Sequence, residues 1–448
     1  MSAGVKPTIA GIGGVTGARL ASRRSSCGEF LVRKPLAELA APWVVLALGL
    51  FLRLWQIDLT RFSNEAVWLL QATNDFINSG HIPLHSGLAF SIGAWAPPLI
   101  TFLLAPLALL SRDPLWISAG LAVLDSLGCL FVFWAARRLT SSMWAGVAAG
   151  LAYAAAPAGL LYGRIIWNVT LVPVLSAIAL WGLVEFQLRR RSLALAVALV
   201  AIGGAAQLHF VNAIYALPWI AAALAGWKYV QWRHIAVAAG LLLATLVPYV
   251  VLQLRTGWAD IGLVLGFLAK PKHVDAQVFD TAGALIGTTS FWRFLPTVVG
   301  FPWFNFDAMT WTCIAITCVG LMYAPIVRRF AHTIVVVWLA LPLAFSIRHS
   351  VDVLPYYLLG QVAAVCLLQG LAAVGLITAG RKVARTRATA TIALLPMLFG
   401  GGEPAARRDR TIPQLREPSG GRRAPGYLWH SATLLEGCRQ LASIDRWQ

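Results

Sequence analysis

Charge is what this sequence has least of. Only 12% of its 448 residues are Asp, Glu, Lys or Arg, against roughly 25% in a soluble domain. A soluble chain of this length would fold as two or three domains, and it has too few charges to coat them. Acids are the scarcer sign, 18 against 36 Lys and Arg, for a formal net charge of +18. That excess does not make a nucleic-acid binder, because such a footprint needs cations clustered on one folded face. Here they fall as short punctuation between apolar runs. The six cysteines contain no CxxC pair, which argues against a disulfide framework or a thiolate metal site. There is no Walker motif, no GxGxxG and no nucleophile elbow, which removes the sequence support for ATP-driven transport and serine-hydrolase chemistry. Residues 1–35 lack the compact apolar core of a cleavable signal peptide and read as a disordered cytoplasmic lead-in.

What is present is apolar surface: 58% hydrophobic residues, with 19 Trp and 20 Phe. The expected fold class is all-α, a polytopic transmembrane bundle of about 10–11 spans with juxtamembrane helices on its outer face. Lys- and Arg-rich short loops stay cytoplasmic, so the basic clusters dictate a path. Arg33 and Lys34 hold the N-terminal side inside, and span 1 covers 37–57. Residues 58–113 form a first outer loop. Its apolar stretch 98–111, after Pro97-Pro98, is read as a re-entrant or juxtamembrane helix, since a crossing there would invert every later cluster. Spans follow at 115–136, 142–162, 170–188, 192–209, 211–227 and 235–253. After an outer loop at 254–306 come spans at 308–326, 332–347 and 354–378. Arg137-Arg138, Arg189-Arg190-Arg191, Lys228 with Arg233, Arg328-Arg329 and Arg381-Lys382 with Arg385 then all lie inside. The transmembrane domain is taken as 36–400, although 389–399 is too short to cross unaided. Residues 401–448 form a polar tail of undecided side.

This threading sends most acids outward, which points to a polar chamber on the outer face. Four groups of residues there can carry chemistry. Asn64-Glu65 follows span 1; a carboxylate so close to the membrane suits a general base, or is a helix N-terminal charge favoured by the macrodipole. Gly163-Arg164-x-x-Trp167-Asn168 follows span 3, where the guanidinium either grips a lipid-linked phosphate beside an aromatic wall or snorkels to headgroups. Arg348-His349 and Pro355-Tyr356-Tyr357 lie at the mouth of span 10, as phosphate or sugar ligands or as an ordinary interfacial loop. The loop at 254–306, with Lys270, Lys272, His273, Trp292 and Arg293, has the size of a substrate cover. His81-x-x-x-His85 has Pro83 between its members and no third ligand, so a metal is not expected there. Asp125, mid-span, needs a partner in lipid and reads as an interhelical contact, not a proton relay. Glu185 is placed to pair with Arg189 one turn on.

Taken in order, Leu52-Arg53-Leu54, Asn64-Glu65, Ala96-Pro97-Pro98-Leu99, Ala135-Ala136-Arg137-Arg138-Leu139, Gly163-Arg164-x-x-Trp167, Gln207-Leu208-His209 and Pro355-Tyr356-Tyr357 form a series. Over residues 40–378 that series resembles the GT-C superfamily of polyprenyl-phosphate-sugar-dependent glycosyltransferases. Within it the likeness is to the bacterial family-39-like membrane transferases, related to protein O-mannosyltransferases and lipid A aminoarabinose transferase. The resemblance implies an integral protein of a bacterial-type cytoplasmic membrane with an outward-facing site. It implies inverting transfer of a hexosyl or pentosyl group from a polyprenyl-phosphate donor to a hydroxyl acceptor of unknown kind, a lipid, glycan or protein. Glu65 would be the catalytic base. Asn64, Arg164, Trp167, Asn168, His209, Arg348, His349, Tyr356 and Tyr357 would bind substrate, with Arg164 and Arg348 stabilising the departing phosphate. Relatives usually carry an acidic pair where this chain has Asn64-Glu65, and many carry an acid after the arginine that follows span 3, where this chain has Trp167-Asn168-Val169-Thr170. One carboxylate offers a divalent ion few oxygens, so no metal site is assigned and no cofactor is expected. The rival reading is a non-enzymatic carrier or flippase for a lipid-linked or polar solute. It would predict inverted repeats and helices broken at mid-depth. No repeat is evident.

Overall fold

The apolar runs fold as helices wherever Arg, Pro or Gly punctuates them. A computed structural model describes residues 36–89, 92–274, 276–286, 306–327 and 329–383. The first helix, α1 (Leu36–Leu54), leads through a short 3-10 turn (Ile57–Leu59) into α2 (Asn64–Ser79). A two-stranded hairpin follows, β1 (Gly87–Ala89) against β2 (Ala94–Ala96), antiparallel with Leu88 opposite Trp95. Then come α3 (Leu99–Leu110), α4 (Pro114–Ser126), α5 (Gly128–Thr140), α6 (Met143–Ala154) and α7 (Pro157–Tyr162). The chain continues through α8 (Val172–Arg189), α9 (Ser192–Leu208), a 3-10 segment (Phe210–Tyr215), α10 (Ala216–Ala225) and α11 (Trp232–Arg255). After α12 (Ala259–Ala269), β3 (His273–Val274) and α13 (Gln277–Ile286) come α14 (Phe306–Val327) and α15 (Arg329–Ser346). Strand β4 (Arg348–His349), a 3-10 turn (Pro355–Gln361) and α16 (Val362–Val383) complete the described chain.

Helices occupy each stretch expected to span, and the apolar stretch after Pro97-Pro98 is the short helix α3. Four segments are long and apolar enough to cross a membrane: Pro114–Thr140, Val172–Arg189, Trp232–Arg255 and Pro355–Thr378. The others are shorter apolar helices packed around them. The protein is an all-α integral membrane bundle. Four departures from the sequence reading are seen. The span at 142–162 is broken at Ala155-Ala156 into α6 and α7, the second opening at Pro157. The span at 115–136 is two helices joined at Leu127. The spans at 211–227 and 354–378 open as 3-10 turns, at Phe210–Tyr215 and Pro355–Gln361. The loop at 254–306 is partly helical, through α12 and α13. The N-terminal lead-in, Asp275, Trp292, Arg293, Arg328, Arg385, the stretch 389–399 and the tail at 401–448 lie outside the described residues.

Packing is close where small residues allow it. A Cβ on Gly182 of α8 would stand 2.6 Å from the Ala194 carbonyl of α9, so only glycine lets these two backbones approach, as small residues do between membrane helices. Gly370 of α16 does the same against α6, where a Cβ would lie 2.5 Å from that of Ala149. Polar side chains tie the layers where apolar packing cannot give direction. Gln207 donates to Thr245 (2.9 Å) between α9 and α11. Trp338 of α15 donates its indole N–H to the Gly360 carbonyl (2.8 Å) and lies flat on Tyr215, with ring centroids 3.9 Å apart. In contrast, α11 keeps Val237, Leu241, Leu243 and Val247 exposed. Exposed aliphatics on a helix of that length belong to a lipid-facing wall.

Candidate functional site

A buried ion pair ties together the ends of α1, α4 and α6. Arg53, at the end of α1, donates its Nε–H to Asp125 of α4 at 2.8 Å, and neither side chain is exposed. The same guanidinium donates to the carbonyls of Ala154 (3.1 Å) and Tyr153 (3.2 Å), while the Tyr153 hydroxyl donates to the other Asp125 oxygen (3.1 Å). The carbonyls at a helix C-terminus lack partners within the helix, and Arg53 satisfies them at the end of α6. The chain can then turn at Pro157 into α7. Gly163, just past α7, has no room for a side chain, because a Cβ there would lie 2.6 Å from Asp125 Oδ2. The Gly163-Arg164 pair is thereby explained: the glycine clears the carboxylate, and Arg164 reaches back to donate to the Trp55 carbonyl at 2.9 Å. Burial pushes the Arg164 pKa down, and the nearby Asp58 carboxylate opposes that shift.

Glu65 sits in the first turn of α2. Ser63 caps that helix by accepting from the Ala66 N–H, and a carboxylate in a first turn is favoured by the helix dipole. Ala66 and Leu69 bury the inner face of α2. Glu65 is half-buried and Asn64 exposed. The Glu65 carboxylate lies within electrostatic reach of the Tyr356 hydroxyl.

Tyr356 belongs to an aromatic group assembled from three distant parts of the chain. Trp167, after α7, meets Tyr356 edge-on at 4.9 Å between centroids. His209, capping α9, lies 5.7 Å from Tyr356 and 5.2 Å from Tyr357. The two tyrosines stand 4.6 Å apart, nearly perpendicular. Tyr162 adds a further ring 6.1 Å from Trp167. Supporting bonds hold these rings in place. Asn212 donates to the His209 carbonyl (2.9 Å). Gln277 and Thr281 of α13 bond the Val353 N–H (3.2 Å) and carbonyl (2.8 Å), two residues before Pro355. Two buried polar atoms in the group, Nδ1 of His209 and Oδ1 of Asn168, have no hydrogen-bond partner, and such atoms are uncommon in folded proteins.

The structure therefore gathers Trp167, His209, Tyr356 and Tyr357, with Asn168 next to Trp167 in the chain, Glu65 within electrostatic reach of Tyr356, and Arg164 tied to the Trp55 carbonyl. Tyr162 was not singled out by sequence, because it reads as one more apolar residue at the end of a span. Arg348 and His349 stand on a short strand. They form β4, paired with β3 so that Arg348 lies opposite Val274 and His349 opposite His273. Arg348 is exposed and forms no ion pair among the described residues, while His349 contacts the Ser346 carbonyl at 3.1 Å. Lys270 and Lys272 are exposed as well, Lys270 lying over the Phe267 ring. No group of His, Cys, Asp and Glu suited to a metal occurs among the described residues.

Comparison with solved structures gives the fold. ArnT, the aminoarabinose transferase of Cupriavidus metallidurans, bound to undecaprenyl phosphate, superposes with a TM-score of 0.51 at 17% identity, over 81% of this chain and 64% of that one. Its apo form gives 0.51 at 16% identity, over 82% and 65%. The fold is that of the GT-C glycosyltransferases. The GT-C oligosaccharyltransferase AglB of Archaeoglobus fulgidus, in complex with an inhibitory peptide and a dolichol-phosphate, aligns over 82% of this chain and 52% of that one, with a TM-score of 0.46 at 12% identity. The chain spans just under two thirds of the length of the ArnT structures it matches. No protein-family model matches the sequence, and no curated protein does.

Proposed function

We propose that this GT-C chain moves a sugar from a polyprenyl-phosphate donor to an acceptor hydroxyl on the outer face of a bacterial-type cytoplasmic membrane, with inversion. The observation that carries the proposal is the placement of Glu65: a half-buried carboxylate in the first turn of a helix, within electrostatic reach of a tyrosine of a five-ring aromatic group whose surroundings include unpartnered buried polar atoms. Glu65 takes the proton of the acceptor hydroxyl as its oxygen attacks the anomeric carbon. The bond from that carbon to the phosphate oxygen breaks, and the polyprenyl phosphate leaves with the electron pair. Trp167, Tyr356 and Tyr357 offer faces for the apolar side of a sugar ring and hydroxyls for its edge. His209 and Asn168 supply polar atoms without internal competitors. Arg164 would be the cation for the leaving phosphate, and preorganised positive charge there is a large catalytic contribution. Arg348 and His349 would contribute from the β3–β4 strand pair, and Asn64 would meet the acceptor from the exposed side. The bundle's apolar wall suits the polyprenyl chain, which is why a transfer site belongs at the lipid boundary. ArnT was solved bound to undecaprenyl phosphate, which supports this donor class.

The test is transfer from labelled polyprenyl-phosphate sugars by the purified chain. Glu65→Gln should fold and bind donor, and should transfer about 10²–10⁴-fold more slowly, the usual contribution of a general base. Wild-type rates in that variant would remove Glu65 from the chemistry.

A further inference from the structure

The opposite end of the bundle carries an unusual cluster of guanidinium groups. Helix α8 begins four residues after Asn168. Glu185 lies 13 positions from its first residue, about 20 Å further along its axis at 1.5 Å per residue. The Glu185 side chain is only 3% exposed, yet three arginines converge on it: Arg138 at 3.2 Å, Arg189 at 3.4 Å and Arg191 at 3.5 Å. They come from α5, from the end of α8 and from the turn after it. One oxygen of Glu185 receives no hydrogen bond of good geometry, so these contacts gather the cations without using up their N–H donors. The fourth arginine, Arg190, adopts a left-handed conformation (φ 57°) as the C-cap of α8. It donates to Gln187 (3.1 Å) and lies over the Tyr229 ring at 5.3 Å. Three guanidiniums thus share one carboxylate, and a fourth is held next to them in the chain by Gln187.

The surroundings indicate what such an excess of charge would meet. Trp227, Tyr229 and Trp232 are exposed on the neighbouring turn, which Ser192 pins to the start of α9 by accepting from the Gln231 N–H at 2.8 Å. Exposed Trp and Tyr beside basic residues mark the headgroup level of a bilayer. The arginine forks remain 39–64% exposed, and their planar donor sets match phosphate oxygens. Basic pockets between membrane helices are sites for anionic headgroups.

We propose that the arginine group centred on Glu185 binds the phosphate of an anionic phospholipid headgroup, in the leaflet opposite the candidate transfer site. Glu185 acts as a positioning residue, holding the cations in one cluster. The experiment is native mass spectrometry of the full chain in detergent, titrated with phosphatidylglycerol, with phosphatidylcholine and with inorganic phosphate. Phosphatidylglycerol should be retained and phosphatidylcholine not. Arg191→Gln and Arg138→Gln should each lower retention about tenfold or more, the loss expected for one charged hydrogen-bond set. Lys228→Gln/Arg233→Gln, which removes two exposed cations from the same face, should change it less than about twofold, as solvated charges do. Equal losses in both sets would overturn the proposal in favour of diffuse attraction by basic loops. So would equal retention of phosphatidylcholine, or displacement of phosphatidylglycerol by inorganic phosphate. Glu185→Gln separates the two views further. If attraction is diffuse, removing an acid strengthens binding; if Glu185 organises the site, removing it weakens binding.

Discussion

Arg53 and Asp125 show how much one pair of residues can determine. Each would be expensive alone in the apolar interior; together, with Tyr153 and two helix-end carbonyls, they form a closed polar knot. Asp125→Ala should lower stability by about 3–5 kcal/mol, since it leaves a buried guanidinium uncompensated. Arg53→Met/Asp125→Leu should recover most of that loss, because apolar residues of similar volume replace buried pairs at little cost. Thermal unfolding in detergent measures both, and a double variant no better than the single would refute the pair's role. The sequence exposed the need for this contact but not the partner. An acid in mid-span needs a counterion, yet Arg53 lies 72 positions away and reads as the interfacial end of a span. Glu185 was simpler, because Arg189 is one helical turn on. Its further partners Arg138 and Arg191 depend on packing between helices. Glu65 was legible as an acid at a helix start, but Tyr162 was not, since nothing in an apolar run marks the ring that will face a site.

At the level of elements, hydropathy located the helices and missed the irregular pieces between them. The 3-10 turns at Phe210–Tyr215 and Pro355–Gln361 carry or adjoin His209, Tyr356 and Tyr357, and their shape depends on Asn212, Trp338 and α13. Those contacts span up to 76 positions, beyond any local pattern. The β1–β2 hairpin has the same kind of cause. Asp260 of α12 accepts from the Trp95 N–H (3.2 Å), the Tyr249 hydroxyl (2.8 Å) and the Gln253 amide, so a buried carboxylate pins the hairpin to the second outer segment. His85 stacks on Trp95 at 4.0 Å between centroids. Burial pushes the His85 pKa below 6.5, and Asp260 only partly offsets the shift. The pinned hairpin therefore favours neutral His85, so its stability is present at neutral pH and falls as pH drops below 6.5. Hydrogen exchange of the Trp95 amide should quicken through that window, and His85→Phe should remove the pH dependence. Asp260→Ala should raise that exchange about tenfold at any pH, as loss of a bond to a charged acceptor does. An amide indifferent to both changes would mean that the hairpin is held by other contacts.

For the whole molecule, the placement of charge decides which side does what. The bundle has its aromatic group and Glu65 at one end of α8 and its arginine group at the other, and short basic loops stay on the cytoplasmic side. That rule assigned α3 to the outer face before any packing was known. The structure shows α3 as a 12-residue helix with Ile100 and Leu104 fully buried, too short to cross the roughly 30 Å of a hydrocarbon core at 1.5 Å per residue. Orientation is the assumption on which donor, acceptor and leaflet all rest, and it can be tested without activity. Single cysteines introduced at the exposed positions Asn64 and Trp258, in a chain cleared of its own cysteines, should react with a membrane-impermeant maleimide in intact cells. Cysteines at Arg191 and Lys228 should react only after permeabilisation. The reverse pattern would put Glu65 in the cytoplasm, where a donor displayed on the outer leaflet cannot reach it, and the transfer proposal would fail whatever the behaviour of Glu65→Gln.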